Sequence, residues 1–151
     1  MPQSGSYSPS LFLREDALRH GSELILRADR TLSDLTAPVL EEAGISRAEY
    51  RVLMLLAQAP GIGPSDLQHR LRIRKQSLQG VMHGMTARGL IAVSRDSRDR
   101  RRRRLALTPQ GQALERRLFA AMRDRLAAAY LDAGPDAVAG FWTVLEHIAG
   151  E

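Results

Sequence analysis

The sequence contains no cysteine. That removes disulfide staples, thiolate metal sites and redox sensing by the chain's own thiols, and it fits a reducing cytoplasm. No run of about eighteen apolar residues is present to span a bilayer, and the opening M-P-Q-S-G-S-Y-S-P-S lacks the charged-then-apolar order of a signal peptide. The expectation is a soluble, cytoplasmic protein. Catalytic constellations are missing as well. His20, His69, His83 and His147 fall at no metal-ligand spacing, there is no glycine-rich phosphate loop, and no Ser-His-Asp order stands out. These absences predict a protein that is not an enzyme and that uses neither a metal nor a cofactor. There is no internal repeat, and the only low-complexity stretch is a run of arginines.

What is present is charge in one place. The chain has 151 residues, 44% of them hydrophobic and 26% charged, with a net charge of +5. That length suits one compact domain with appended helices. Between Arg70 and Arg104 twelve Lys/Arg face only Asp96 and Asp99, so this lobe carries +10 and the remainder of the chain −5. A basic lobe on an otherwise acidic chain is the electrostatic footprint of nucleic-acid binding, because neutralising phosphates releases counterions. A basic membrane-surface helix would need its charge opposite bulky apolar residues on one helix. The charge here sits instead in I-A-V-S-R-D-S-R-D-R-R-R-R-R-L-A-L-T, from Ile91 to Thr108. Two short apolar arms flank a turn-rich tip, and Leu105 and Leu107 alternate with Arg104 and Ala106, which predicts a β-hairpin with a cationic tip.

Around the hairpin the pattern is helical. Ser8 and Pro9 offer an N-cap and first turn, and Leu11, Leu18, Ile25, Leu32 and Val39 then recur at sevens, with Pro38 expected to end or kink the helix nearby. So long a stripe suggests packing against a second chain, although a helix lying across its own domain would also use it. Gly44 closes this segment and S-R-A-E, from Ser46 to Glu49, is a capping box. A second helix follows with Val52, Leu53, Leu55 and Leu56 at helical spacing, broken by A-P-G-I-G-P from Ala59 to Pro64. A short third helix runs from Gly63-Pro64 through Leu67 and Leu71. A fourth, from about Lys75 to Arg88, turns Leu78, Val81, Met82 and Met85 inward. After the hairpin Thr108-Pro109 opens a fifth helix, and Gly134-Pro135 separates it from a sixth carrying Val138, Phe141, Leu145 and Ile148. Two short helices joined by a tight turn and followed by a hairpin give the order of a winged helix-turn-helix.

The ordered set I-S-R-A-E-Y-R-V-L (45–53), P-G-I-G-P-S-D-L (60–67), L-R-I-R-K-Q-S-L (71–78), R-G-L-I (88–91) and D-R-R-R-R-R-L-A-L-T-P-Q-G (99–111) resembles the MarR family of winged-helix transcriptional regulators. Its wing signature, an Asp-x-Arg eight residues before Leu-Thr, is met by Asp99, Arg101, Leu107 and Thr108. The resemblance implies a mainly α protein with a small β-hairpin wing (α+β). Residues 1–44 would form an N-terminal dimerisation helix, 45–110 a winged helix-turn-helix DNA-binding module, and 111–151 C-terminal dimerisation helices. It further implies a homodimeric regulator, in the repressor sense, binding a pseudo-palindromic operator in double-stranded DNA and released by a small aromatic or carboxylate effector. The competing reading is an architectural nucleic-acid-binding protein that uses the same arginines without sequence preference.

Specific roles follow from residue chemistry. Arg74, Lys75, Gln76, Ser77, Gln79 and His83 occupy or precede the outward face of the fourth helix, where glutamine can pair with adenine and lysine with guanine or phosphate. At the wing Arg101 is placed to enter a minor groove, and Arg95, Arg98, Arg100, Arg102 and Arg103 to touch phosphates. Asp99, among arginines, is expected to anchor the wing internally, since an acid facing DNA would be repelled. For the effector, the family's cleft between dimer base and winged module points to His20 and Arg27 on the first helix and to Tyr50 and Arg51 on the second. Arg51 would pair with a ligand carboxylate; intramolecular bonds or solvent are the alternative for all four. Two features depart from the family pattern. Arg74 stands where a Ser/Thr N-cap is usual, and Gly80 and Gly84 stand where polar side chains are common. Either the bare backbone approaches DNA closely or base readout is weak and the wing dominates.

Overall fold

A computed structural model describes residues 11–150, and these residues form six helices and one hairpin. In order they are α1 (Glu15–Ala43), α2 (Arg47–Gln58), α3 (Pro64–Leu71), α4 (Lys75–Ala87), β1 (Ile91–Arg95), β2 (Arg103–Leu107), α5 (Pro109–Ala133) and α6 (Pro135–Ala149). Among the described residues no helix is long and apolar enough to cross a membrane.

The helix punctuation acts largely as the residues dictate. Ser46 accepts the Glu49 N–H while the Glu49 carboxylate accepts the Ser46 N–H, so the capping box is closed at both ends. Thr108 Oγ1 caps α5 by accepting from the Gly111 N–H at 3.1 Å and itself donates to the Gly89 carbonyl. The two ends of α1 are fixed more closely by the structure. The proposed start at Ser8 lies outside the described residues, and residues 11–14 form a turn, so that α1 begins at Glu15. Glu15 and Asp16 supply acid to its first turn, where the helix dipole favours it. Pro38, expected to end or kink α1 nearby, lies within its last two turns, and the helix ends at Ala43. Proline so near a C-terminus strands only the carbonyl four residues back, and Asp34 is exposed, so water can satisfy it. The helix stops instead at Gly44, in the left-handed region (φ 61°), with the Ile45 N–H closing back on the Leu40 carbonyl at 2.9 Å.

β1 and β2 pair antiparallel in the register Ile91↔Leu107, Val93↔Leu105 and Arg95↔Arg103. The alternation in β2 works as read: Leu105 and Leu107 are buried, with exposed Arg104 and half-buried Ala106 alternating with them. The connection between α2 and α3 adds a third rung. The Gly61 N–H donates to the Leu105 carbonyl at 2.8 Å, and the Leu105 N–H to the Ile62 carbonyl at 3.0 Å. The hairpin is thereby fixed to the helix-turn-helix.

Val52, Leu53, Leu56, Leu67, Leu71, Leu78, Met85, Leu90, Ile91 and Leu105 form the core of this module, each at most 4% exposed. Each such side chain withdrawn from water contributes about 1.5–3 kcal/mol. Leu40 of α1 and Leu114 and Leu118 of α5 join the same cluster, so the core is continuous with the outer helices at one end. Away from that end it thins out. Leu18, Ile25 and Leu26 of α1 are 56%, 42% and 67% exposed, and Trp142 and Ile148 of α6 are 51% and 63% exposed.

Candidate nucleic-acid interface

The module presents two exposed basic elements side by side. In α4, Leu78 and Met85 are buried and Val81 and Met82 half-buried, which leaves Lys75, Gln76, Ser77, Gln79 and His83 in solvent. Arg74 takes the N-cap position with extended backbone and makes no side-chain capping bond, so the first turn forgoes about 1 kcal/mol that Ser or Asp would contribute. A Cβ built on Gly80 or Gly84 meets nothing within 4 Å; these glycines relieve no crowding within the chain. Between α3, α4 and the hairpin lies a cleft of about 520 Å³ lined by Lys75, Gln79, His83 and Arg103, together with Ser65 and Gln68 of α3. The two α3 residues carried no signal of their own in the sequence, being ordinary polar positions on a short helix. A neighbouring cleft of about 580 Å³ separates the start of α3 from Arg101, Arg102, Arg103 and Arg104.

Two acids bond within the wing turn, Asp96 at its base and the expected Asp99 at its apex. Asp96 is 9% exposed, and its carboxylate accepts the N–H groups of Arg98 at 2.7 Å and Asp99 at 3.3 Å. It also accepts two guanidinium bonds from Arg104, one from Nε at 2.6 Å. Arg104 in turn donates Nη1 to the Gly61 carbonyl at 2.9 Å, so one arginine joins the wing turn to the α2–α3 connection. The Arg98 N–H first, then the Arg104 side chain and the Asp99 N–H, hold the Asp96 carboxyl below the ordinary aspartate range. Asp99, to which the sequence assigned the anchor, is exposed at the tip. It accepts the Arg101 N–H at 3.0 Å and lies 3.7 Å from Arg102 Nε. The reason is position: Asp96 directly follows β1 and turns into the loop, where it can reach three later residues, whereas Asp99 sits at the apex. A D-S-R-D sequence after a strand is the local signal for such an Asx-turn. Arg95, Arg98, Arg100, Arg101, Arg102 and Arg103 all remain exposed around this pinned turn.

The four effector candidates are not brought together within one chain. His20 and Arg27 lie on the exposed part of α1, and Arg27 pairs with Glu23 at 3.6 Å. Tyr50 is half-buried with its hydroxyl 4.0 Å from Met122 Sδ of α5, and burial, then the Glu115 charge, raises its pKa. Arg51 points the other way and donates to the Leu71 carbonyl at 3.2 Å, satisfying the end of α3. Among the described residues no cluster of three or more His, Asp or Glu is poised to hold a metal.

Residues 43–102 match the sequence profile of the MarR family. Over 136 residues the chain is 39% identical to the HTH-type transcriptional regulator PetP of Rhodobacter capsulatus, covering 90% of this chain and 82% of PetP. It is 28% identical over 93 residues to the homoprotocatechuate degradative operon repressor of Escherichia coli, covering 62% and 63% of the two chains. Among solved structures, NadR in complex with 4-hydroxyphenylacetate superposes with a TM-score of 0.74 over 99% of this chain and 98% of that one, at 23% identity. CouR from Rhodococcus jostii bound to p-coumaroyl-CoA does so with a TM-score of 0.66 over 83% and 89%, at 24% identity. With the hairpin, the exposed fourth helix and these likenesses in place, the chain belongs to the MarR family of DNA-binding transcriptional regulators.

Proposed function

We propose that this regulator works in the cytoplasm as a homodimeric repressor on a pseudo-palindromic operator and is released by a small aromatic or anionic effector. The observation that carries this reading is the pairing of an internally pinned arginine tip with an exposed polar helix face in the same module. Residues 45–110 then read DNA, and the segments 1–44 and 111–151 join two copies. Lys75, Gln76, Ser77, Gln79 and His83 meet base edges in the major groove, with Arg74 at the phosphates beside them. Arg101 reaches the adjacent minor groove, while Arg95, Arg98, Arg100, Arg102 and Arg103 contact phosphates. The exposed apolar residues of α1 and α6 support the dimer, because a monomer would leave them in water. Two copies related by a two-fold axis would place their α4 helices about one helical turn apart.

The effector reading draws on relatives: one is a repressor of a homoprotocatechuate degradative operon, and neighbours in fold are seen with 4-hydroxyphenylacetate and p-coumaroyl-CoA. In this chain Tyr50 would shape the pocket with His20 and Arg27, and Arg51 would exchange the Leu71 carbonyl for a ligand carboxylate.

Selection of genomic fragments by the purified protein tests the whole proposal. One pseudo-palindrome preferred by roughly a thousandfold or more over random duplex at physiological salt is the expected result, and its affinity should fall when the matching aromatic acid is added. Equal affinity for all duplexes would favour an architectural protein.

A further inference from the structure

The C-terminal end of α4 is held in two ways. It is built into the hairpin by backbone. The Leu90 N–H closes on the Met85 carbonyl at 3.0 Å, and the Thr108 N–H donates to the Leu90 carbonyl at 3.1 Å. Gly111 packs so closely on that carbonyl that a Cβ would occupy the oxygen's space. The recognition helix, the hairpin and the start of α5 therefore move together. Toward α1 the arrangement is otherwise, since α1 packs chiefly on α5, and α4 on β1 and α2.

The tie between α4 and α1 is a side chain. Arg88, the C-cap residue of α4, donates Nη1 to the Gly44 carbonyl at 2.8 Å and Nη2 to the Ala43 carbonyl at 2.5 Å. Its Nη1 also lies 3.8 Å from Oε1 of Glu49, whose other oxygen, Oε2, is held by the capping box of α2. The last turn of α1 contains no basic residue, so Arg88, far away in sequence, brings the cation that its carbonyls and the negative end of its dipole call for. The fork of a guanidinium suits two adjacent carbonyls, and a lysine could reach only one at a time.

Geometry turns this tie into a lever. α1 has 29 residues and is therefore about 44 Å long at 1.5 Å per residue. Most of its exposed apolar residues, Leu18, Leu24, Ile25 and Leu26, lie in its N-terminal half, and Arg88 grips its C-terminal end. We infer that Arg88 is a positioning residue that fixes the recognition helix on the end of α1, and so sets the separation of half-sites that a dimer accepts. The inference rests on the dimeric, operator-binding reading above.

The test uses the full-length protein and Arg88→Gln, with Arg88→Lys as a milder variant, against duplexes carrying the selected site with its half-site spacing lengthened or shortened by one and two base pairs. Wild type should discriminate among spacings. Arg88→Gln should remain a dimer and bind random duplex with the same salt dependence, yet its preference for the matched spacing should shrink about tenfold or more, with Arg88→Lys between the two. Because the chain has no cysteine, a single His83→Cys label on each copy also reports the α4–α4 distance without DNA. That distribution should broaden in the Arg88→Gln background. Equal weakening at every spacing, or an unchanged distance distribution, overturns the inference and leaves Arg88 as a helix cap. If wild type itself shows no preference among spacings, the operator reading falls first and the inference with it. Should Arg88→Gln fail to fold, the distance distribution of Arg88→Lys decides, and one as narrow as wild type counts against the lever.

Discussion

The winged module and the outer helices solve the problem of apolar surface in opposite ways. In the module Val52, Leu53, Leu56, Leu67 and Met85 are at most 1% exposed, whereas in α1 and α6 Leu26, Trp142 and Ile148 are more than half exposed. One region is complete within a single chain and the other is not. The contrast shows where the chain's own packing ends, and contiguous apolar surface of this kind is what marks an interaction site.

The largest effect should come from charging the incomplete region. Leu18→Asp with Ile25→Asp is expected to yield a monomer by sedimentation velocity, with the circular dichroism of the winged module retained. Losing the second half-site should weaken operator binding by about 10²–10⁴-fold, the usual range for bivalent against single engagement, while affinity for random duplex changes much less. An unaltered sedimentation coefficient would show that these rows are covered by something other than a second copy. Truncating the complete region acts differently. Leu53→Ala removes a wholly buried side chain and should cost about 2–5 kcal/mol of folding stability, read as a lower denaturation midpoint. Strong over-representation of the folded dimer at high concentration should offset part of that loss, since association stabilises the folded chain by mass action.

Next in size is the wing. Asp96→Asn leaves the turn in place but weakens its bonds to Arg104, so the arginine tip should sample more conformations. Ordering one further residue on binding costs about 1–2 kcal/mol, which predicts roughly tenfold weaker operator binding. Asp96 also predicts a pH dependence. Its folded pKa lies below the unfolded one, so the folded state binds fewer protons as acid is added. The stabilisation is fully present above the ordinary aspartate value of about 3.9 and is lost as pH falls through the depressed value. Acid unfolding of wild type should therefore be steeper below about pH 4 than that of Asp96→Asn. Parallel curves would mean that the carboxylate contributes nothing beyond its shape.

How much of this was visible beforehand depends on the range of the interaction. The capping box at Ser46, the stop at Gly44, the N-cap at Thr108 and the alternation of Leu105 and Leu107 are local patterns, each decided within four residues, and each is found in place. The inward face of α4 is local too. The exposed arginines could be placed at the tip, but that Asp96 makes more of the bonds in the turn than Asp99 could not be read from charge alone, because both sit in the same arginine-rich surroundings and differ only in distance from β1. Arg88 and Arg51 were opaque for a stronger reason. Their partners, the carbonyls of Gly44 and Leu71, lie 44 and 20 residues away, and any backbone carbonyl looks alike in sequence. Pro38 marked only the neighbourhood of the helix end, because proline's penalty depends on whether water can reach the carbonyl it strands, which is a property of the fold.

The smallest expected effect bears on the choice left open by Gly80 and Gly84. Both sit on α4 with free space where a side chain would go, so Gly80→Ala should stabilise the helix by about 0.5–1 kcal/mol through reduced freedom of the unfolded chain. A methyl group there adds nothing to the module's own packing and meets only whatever approaches from outside. If the bare backbone lies against the duplex, the more stable variant should bind the operator more weakly while keeping its affinity for random DNA, so that stability and specificity move in opposite directions. If the wing supplies most of the grip, operator affinity should follow stability or stay level. Thermal unfolding and operator titration of the same Gly80→Ala preparation separate these cases, and the sign of the change in operator affinity says whether the complete region of the molecule reads bases with its helix or merely holds its arginines in position.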